Sequence, residues 1–269
     1  MSKEMTLSEA VRLIHDGDML ALGGNVLHRA PMSLIREIAR QKKKHLKIVK
    51  TAGAMDVDLL CMANCVDSVD AGFISYESEY SLANHYRRAV QSGQVAGNEH
   101  ACYTVISALR AASMGVGFLP VRGLIVSDLI SVNSYFARIQ DPFSNEEITV
   151  VKALCPDYAL LHVNEADVNG NAYIEPPLFD DIIMSRAAKG VILTTEKIVP
   201  ENKFSFSKEK AQIPQFLVRA VVQVKKGAAP CSCYPSYDID KKGISAFKDC
   251  KSENDLNGYL EQMEAIDWR

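Results

Sequence analysis

Apolar residues along this chain alternate between two rhythms. Ser8 to His15 sets Ala10, Val11, Leu13 and Ile14 at helical spacing, and Asp16-Gly17 stops the helix. Met19 to Leu22 is a short continuous apolar run of the kind a buried parallel strand needs. Gly23-Gly24, a loop and Pro31 follow, then the helical pattern of Met32 to Ala39; Pro31 suits a first helical turn, where no amide donor is lost. The same alternation continues with strand Leu46 to Lys50, helix Met55 to Ala63, strand Val69 to Ser75 and helix Ser81 to Ser92. Val105, Ile106, Leu109 and Ala112 predict a helix over His100 to Met114. In the second half, Tyr158 to Val163 and Gly190 to Thr195 are the densest strand patterns, with a helix from Asp180 to Lys189 between them. Gln215 to Val224 fits a strand or a buried helix, and Ser252 to Ile266 reads as a final amphipathic helix. Strands alternating with helices predict an α/β fold, a mainly parallel open sheet flanked by helices. With no repeat, low-complexity segment or linker, one domain over 1–269 is expected.

Composition narrows the function classes. A chain of 269 residues with 48% apolar and 23% charged residues can bury a sizeable core. A net charge of −3 gives no broad basic field for nucleic acid, and Gln41 to His45 reads as a solvated helix end. No apolar run reaches membrane-spanning length and the N-terminus lacks a signal-peptide core, so a cytoplasmic protein is expected. Seven cysteines, an odd count, read as reduced thiols. Cys61 and Cys65 stand one helical turn apart and Cys231-Ser232-Cys233 holds a close pair, but no His-Cys set has metal-ligand spacing, so no metal is expected.

Strand, glycine loop and helix start would aim unpaired amides at an anion. Gly23, Gly24 and Asn25 are the candidates there, and Arg29 would add a full charge. An ordinary strand-to-helix turn accounts for the same residues. Glu99, in Gly97-Asn98-Glu99-His100, stands before a predicted helix and is either a cleft-facing carboxylate or a helix cap. Arg122, ending the turn-rich passage from Gly115, could hold a carboxylate in a bidentate pair or serve a structural acid. Asn169-Gly170 is a tight-turn signal. Phe179-Asp180-Asp181 opens a helix with an aromatic and two acids, N-capping by Asp180 being the simplest account. No Ser-His-Asp order, nucleophile elbow or Walker loop is present.

These blocks, in order, resemble a known family. Asp16-Gly17-Asp18, Gly23-Gly24, Pro31, Gly117 to Arg122, His162-Val163, Ala166-Asp167, Gly170-Asn171 and Phe179-Asp180-Asp181 resemble the class I coenzyme A transferases. The similarity is to the A subunit of the glutaconate CoA-transferase branch and spans roughly positions 8 to 200. It implies a sheet shared with sugar-phosphate isomerases, no permanently bound cofactor, and coenzyme A and acyl-CoA as substrates. It also implies a B-subunit partner in an A2B2 assembly, with CoA and a carboxylic acid bound between subunits. Gly23, Gly24, Asn25, Arg29, Arg122, Phe179 and Asp180 then become CoA- or substrate-binding candidates. The transferase glutamate that attacks the thioester and becomes a glutamyl-CoA thioester typically belongs to B, and its Glu-plus-glycine motif is missing here.

A further branch opens rings of cyclic β-keto acyl-CoA compounds by hydrolysis, with an A-subunit glutamate that matches Glu99 by count from Phe118-Leu119-Pro120-Val121-Arg122. Val116-Gly117 before that block, and a loop from Asn25 to Arg29 without further glycines, depart from many relatives. A regulator that kept the fold would normally bring a helix-turn-helix module, for which Ser2 to Ile14 is too short. An isomerase needs more than Lys189-Gly190.

Overall fold

The computed structural model describes residues 2–124, 126–206 and 210–267. Among these residues, seven parallel strands form the main sheet: β1 (Met19–Leu22), β2 (Leu46–Gly53), β3 (Val66–Ile74), β4 (Ala96–Glu99), and, after an excursion, β8 (Tyr158–Ala166), β10 (Gly190–Ile198) and β11 (Val218–Gln223). Their spatial order is β11-β10-β8-β1-β2-β3-β4, and the two-residue β9 (Ala172–Tyr173) adds antiparallel to β8. The excursion is a small antiparallel sheet, β5 (Phe118–Val121), β6 (Phe136–Gln140) and β7 (Glu147–Lys152), with β7 central. Helices α1 (Leu7–Arg12), α2 (Met32–Arg40), α3 (Met55–Met62), α4 (Glu77–Tyr80), α5 (Asn84–Gln91) and α6 (Cys102–Ser113) belong to the first half. The short α7 (Leu129–Val132), α8 (Asp181–Ala187), α9 (Lys203–Phe206), α10 (Lys241–Lys248) and α11 (Glu253–Asp267) complete the set.

The apolar strands are buried on both faces, which explains their unbroken hydrophobic runs. Alternate residues point to opposite sides, so Leu20, Leu22 and Leu160 join one core while Ala21, Ala159 and Leu161 join the other. Thr6 and Glu9 close a reciprocal cap on α1. The end of α11 is tied to α2 by buried Asp267, which accepts from Arg36 Nε at 2.8 Å and from Arg40 Nη2 at 2.8 Å. Among the described residues no helix is long and apolar enough to cross a membrane.

The mainly parallel sheet agrees with the expectation from the sequence, and Gln215 to Val224 resolves into a short 3₁₀ turn and strand β11. Two expectations are corrected. Ala96–Glu99 is edge strand β4, so Glu99 ends a strand and the helix behind it begins only at Cys102. The passage from Gly115 is not merely turns: Phe118–Val121 pairs with β7. Both strands have only four residues, too few for period-2 alternation to show.

From β1 the chain steps outward to β4 on one side, then returns to β8 and steps outward to β11 on the other. The order reverses between β1 and β8, and the crevice beyond their C-terminal ends is where open α/β sheets bind ligands.

Candidate active site

The glycine loop after β1 is folded onto itself. Gly24 has φ +70°, and a Cβ there would overlap the His28 carbonyl oxygen and lie 2.5 Å from that of Arg29; a Cβ on Gly23 would lie 2.6 Å from Asp181 Oδ1. The glycines are therefore required by the chain's own packing. The amides are engaged as well: Gly23 donates to the Leu160 carbonyl at 2.9 Å, Gly24 to Asp181 Oδ1 at 2.7 Å, and Asn25 to the His28 carbonyl at 2.8 Å. Val26 donates to the Ala52 carbonyl at 2.9 Å and Arg29 to the Ser232 carbonyl at 2.7 Å. From below, buried Lys50 donates to the Gly24 carbonyl at 3.1 Å and pairs with Asp56 at 3.0 Å. The expected amide cradle for an anion is thus occupied internally.

Arg29 is engaged in the same way. It is 3% exposed, pairs with buried Asp181, and donates to the carbonyls of His162 at 3.3 Å and Pro177 at 3.0 Å. Its guanidinium carbon lies 5.3 Å from the Phe179 ring centroid. The charge is neutralised within the fold, and Asp181, at the start of α8, is the acid that does it. Asp180 occupies the N-cap of α8 but its side chain makes no capping bond.

Beside Arg29 opens a cavity of about 570 Å³ at the β1/β8 switch point. Pro177, Phe179, Tyr234, Tyr237 and Ile239 form its apolar walls, while His28, Ser232, Glu175, Asp238 and Lys241 supply polar groups. That mix suits a mostly apolar ligand oriented by a few hydrogen bonds. Asn164 at the end of β8 holds two wall segments, donating to the Tyr234 carbonyl at 2.8 Å and accepting from the Glu175 amide at 2.9 Å.

Behind the cavity lies a hydrogen-bonded group. Tyr237 donates its hydroxyl to Glu196 Oε1 at 2.7 Å, and Glu196 also contacts His162 Nε2 at 2.8 Å and accepts from the amides of Lys226 and Gly227 at 2.9 and 3.2 Å. His162 Nδ1 meets Thr194 Oγ1 at 2.9 Å. Burial pushes the Glu196 carboxyl up, but its bonds and the charge of His162 outweigh that and hold it below the usual range. Burial and the field of Glu196 push the Cys233 thiol up to about 12. His162, Glu196 and Cys233 bring potential ligand atoms within 4.8 Å of one another, although both His162 nitrogens and the Glu196 oxygens are already partnered.

The other candidates lie elsewhere. The register Ala21–Val49–Asp70–Asn98 crosses four strands, so Glu99 stands level with Leu22 but three strands away, about 14 Å by strand spacing. It is exposed, and its carbonyl accepts from Asn133 Nδ2 at 2.7 Å. It caps no helix. Arg122 is exposed beyond β5 of the small sheet. The structure gathers Gly23, Gly24, Asn25, Arg29 and Phe179 at the switch point and leaves Glu99 and Arg122 outside it.

Ser232, Glu196, Tyr237 and Asp181 as the Arg29 partner escape sequence reasoning. Asp181 has a signal, the doubled acid after Phe179; Ser232 and Tyr237 have none, because only the tertiary fold brings their segment to β1.

The coenzyme A transferase family model matches residues 4–224. The chain is similar to a protein of Archaeoglobus fulgidus without assigned function, 36% identical over 91% of this chain, of whose length it spans only 55%. It is also similar to the A subunit of glutaconate CoA-transferase from Acidaminococcus fermentans, 27% identical over 97% of this chain and 88% of the relative. The solved structure of that enzyme superimposes with a TM-score of 0.90 over 99% of this chain and 94% of its own, at 26% identity. A second solved structure, a cysteine-to-serine variant of the decarboxylase AibA/AibB, matches with a TM-score of 0.88 and 32% identity over 98% of this chain and all of its own.

Proposed function

The chain belongs to the coenzyme A transferase family, and on that premise we propose that it is the A-type subunit of an enzyme moving CoA between an acyl-CoA and a carboxylic acid. It uses the thioester as substrate, with no resident cofactor, and works in the cytoplasm as one domain paired with a B-type subunit, as A2B2. The observation that carries the two-subunit reading is the setting of Glu99. An exposed carboxylate on an edge strand is strongly hydrated, and catalysis needs a site from which water is excluded. Around it, Phe73 on the neighbouring strand is 42% exposed and Tyr103 on α6 is 53% exposed, a patch that a partner surface would cover. Covered in this way, Glu99 would work as a base or orienting group, while the partner supplies the nucleophile; Arg122 and the switch-point cavity would hold the substrate's carboxylate and acyl-CoA portions.

The test is co-expression with a B-type subunit. Phe73→Asp should prevent co-purification, and Glu99→Gln should preserve assembly and melting temperature while lowering turnover on the order of 100-fold. Unchanged assembly in the first variant, or turnover within a few-fold of wild type in the second, would remove Glu99 and its surroundings from the site. Separating acyl transfer to a carboxylate from net hydrolysis in the same assay assigns the reaction class.

A further inference from the structure

We propose that Ser232 and His28 form a nucleophile–base pair able to cleave a thioester or activated ester in the switch-point cavity, independently of Glu99. Ser232 Oγ lies 2.7 Å from His28 Nδ1, and both residues line the cavity. The pairing is built into the backbone: Ser232 donates to the Leu27 carbonyl at 3.0 Å, and Arg29 donates to the Ser232 carbonyl at 2.7 Å. These bonds fix the two segments on either side of the side-chain contact, the preorganisation that nucleophile and base require. Ser232 is only 8% exposed, whereas His28 reaches solvent and can exchange protons. Phe179 and Tyr234 offer apolar surface to an acyl chain. Arg29 also lines the cavity, its guanidinium held by Asp181 and by the carbonyls of His162 and Pro177.

In the reaction, Ser232 Oγ forms a bond to the acyl carbon while His28 Nδ1 takes the hydroxyl proton. The carbon–sulfur bond breaks, and the leaving thiolate receives that proton from His28. Water then attacks the acyl carbon of the acyl-serine, giving a proton to His28; the bond between that carbon and Ser232 Oγ breaks, and Oγ takes the proton back from His28. One thioester and one water become one carboxylic acid and one thiol.

The experiment uses the full chain alone, with a fluorophosphonate probe and p-nitrophenyl acetate. Peptide mass spectrometry should find the phosphonyl adduct on Ser232, absent in Ser232→Ala, with ester hydrolysis falling to the solution background. His28→Ala should slow adduct formation at least 100-fold while melting temperature holds. A folded wild-type chain with no adduct at Ser232, or equal labelling rates in His28→Ala, overturns the proposal. Neither readout needs a partner, so failure here leaves the two-subunit reading standing, and the converse.

Discussion

Replacing Asp181 with Ala should be among the most damaging single changes outside the apolar core. In the native chain its carboxylate neutralises Arg29 and accepts the Gly24 amide at 2.7 Å, and it is fully buried. Without it, a guanidinium only 3% exposed keeps two carbonyls and no anion. Removing one partner of a buried pair costs about 3–5 kcal/mol. The orphaned Gly24 amide adds about 1–3 kcal/mol, less whatever an entering water recovers. A net loss of about 4 kcal/mol corresponds to roughly 10 °C in melting temperature for a chain of this size. The assay is thermal and urea unfolding followed by far-ultraviolet circular dichroism. Asp181→Asn keeps the acceptor for Gly24, and a double-mutant cycle with Arg29→Met isolates the charge pair. The two single costs should exceed the double-variant cost by more than about 1 kcal/mol. A loss below about 1 kcal/mol for Asp181→Ala, or simple additivity in the cycle, would refute the claim that this pair anchors the loop.

Gly24→Val should impair folding, because its Cβ would strike the His28 and Arg29 carbonyls; a normal melting temperature and yield would contradict this. Glu196 is held deprotonated in the fold, so its stabilisation is present above the usual carboxylate range and lost as pH falls through its lowered native value. Stability against pH should therefore show an acid limb that Glu196→Gln flattens, and an unchanged limb would contradict the assignment. Disulfide-exchange reagent at mildly alkaline pH should modify exposed Cys155 first and half-buried Cys102 more slowly. Cys65 and Cys233, with thiols pushed up to about 11 and 12 by burial, should react only after unfolding, and early modification of either would contradict their burial.

The main sheet is legible in the sequence because its central strands are buried on both faces and helices such as α2 set their apolar residues at helical spacing. Met19 to Leu22, Tyr158 to Val163 and Gly190 to Thr195 can hardly be read otherwise. Four-residue strands such as Ala96–Glu99 carry no usable period, which is why pattern alone sets Glu99 before a helix. Gly23, Gly24, Arg29 and Phe179 do group together, and Asp181, which local pattern does not connect to them, accepts the Gly24 amide and pairs with Arg29. Ser232 and Tyr237 are far from β1 in the chain, and local pattern holds no information about contacts of that range.

On the proposed function, the glutamate that attacks the thioester belongs to the partner subunit and not to this chain. The A–B complex is incubated with acetyl-CoA, the enzyme-bound thioester is trapped with borohydride, and the modified glutamate is located by mass spectrometry. The expected result is modification of a glutamate on the partner subunit, with Glu99 unmodified and none formed on this chain alone. A reduced Glu99 in this chain, with or without the partner, would contradict it.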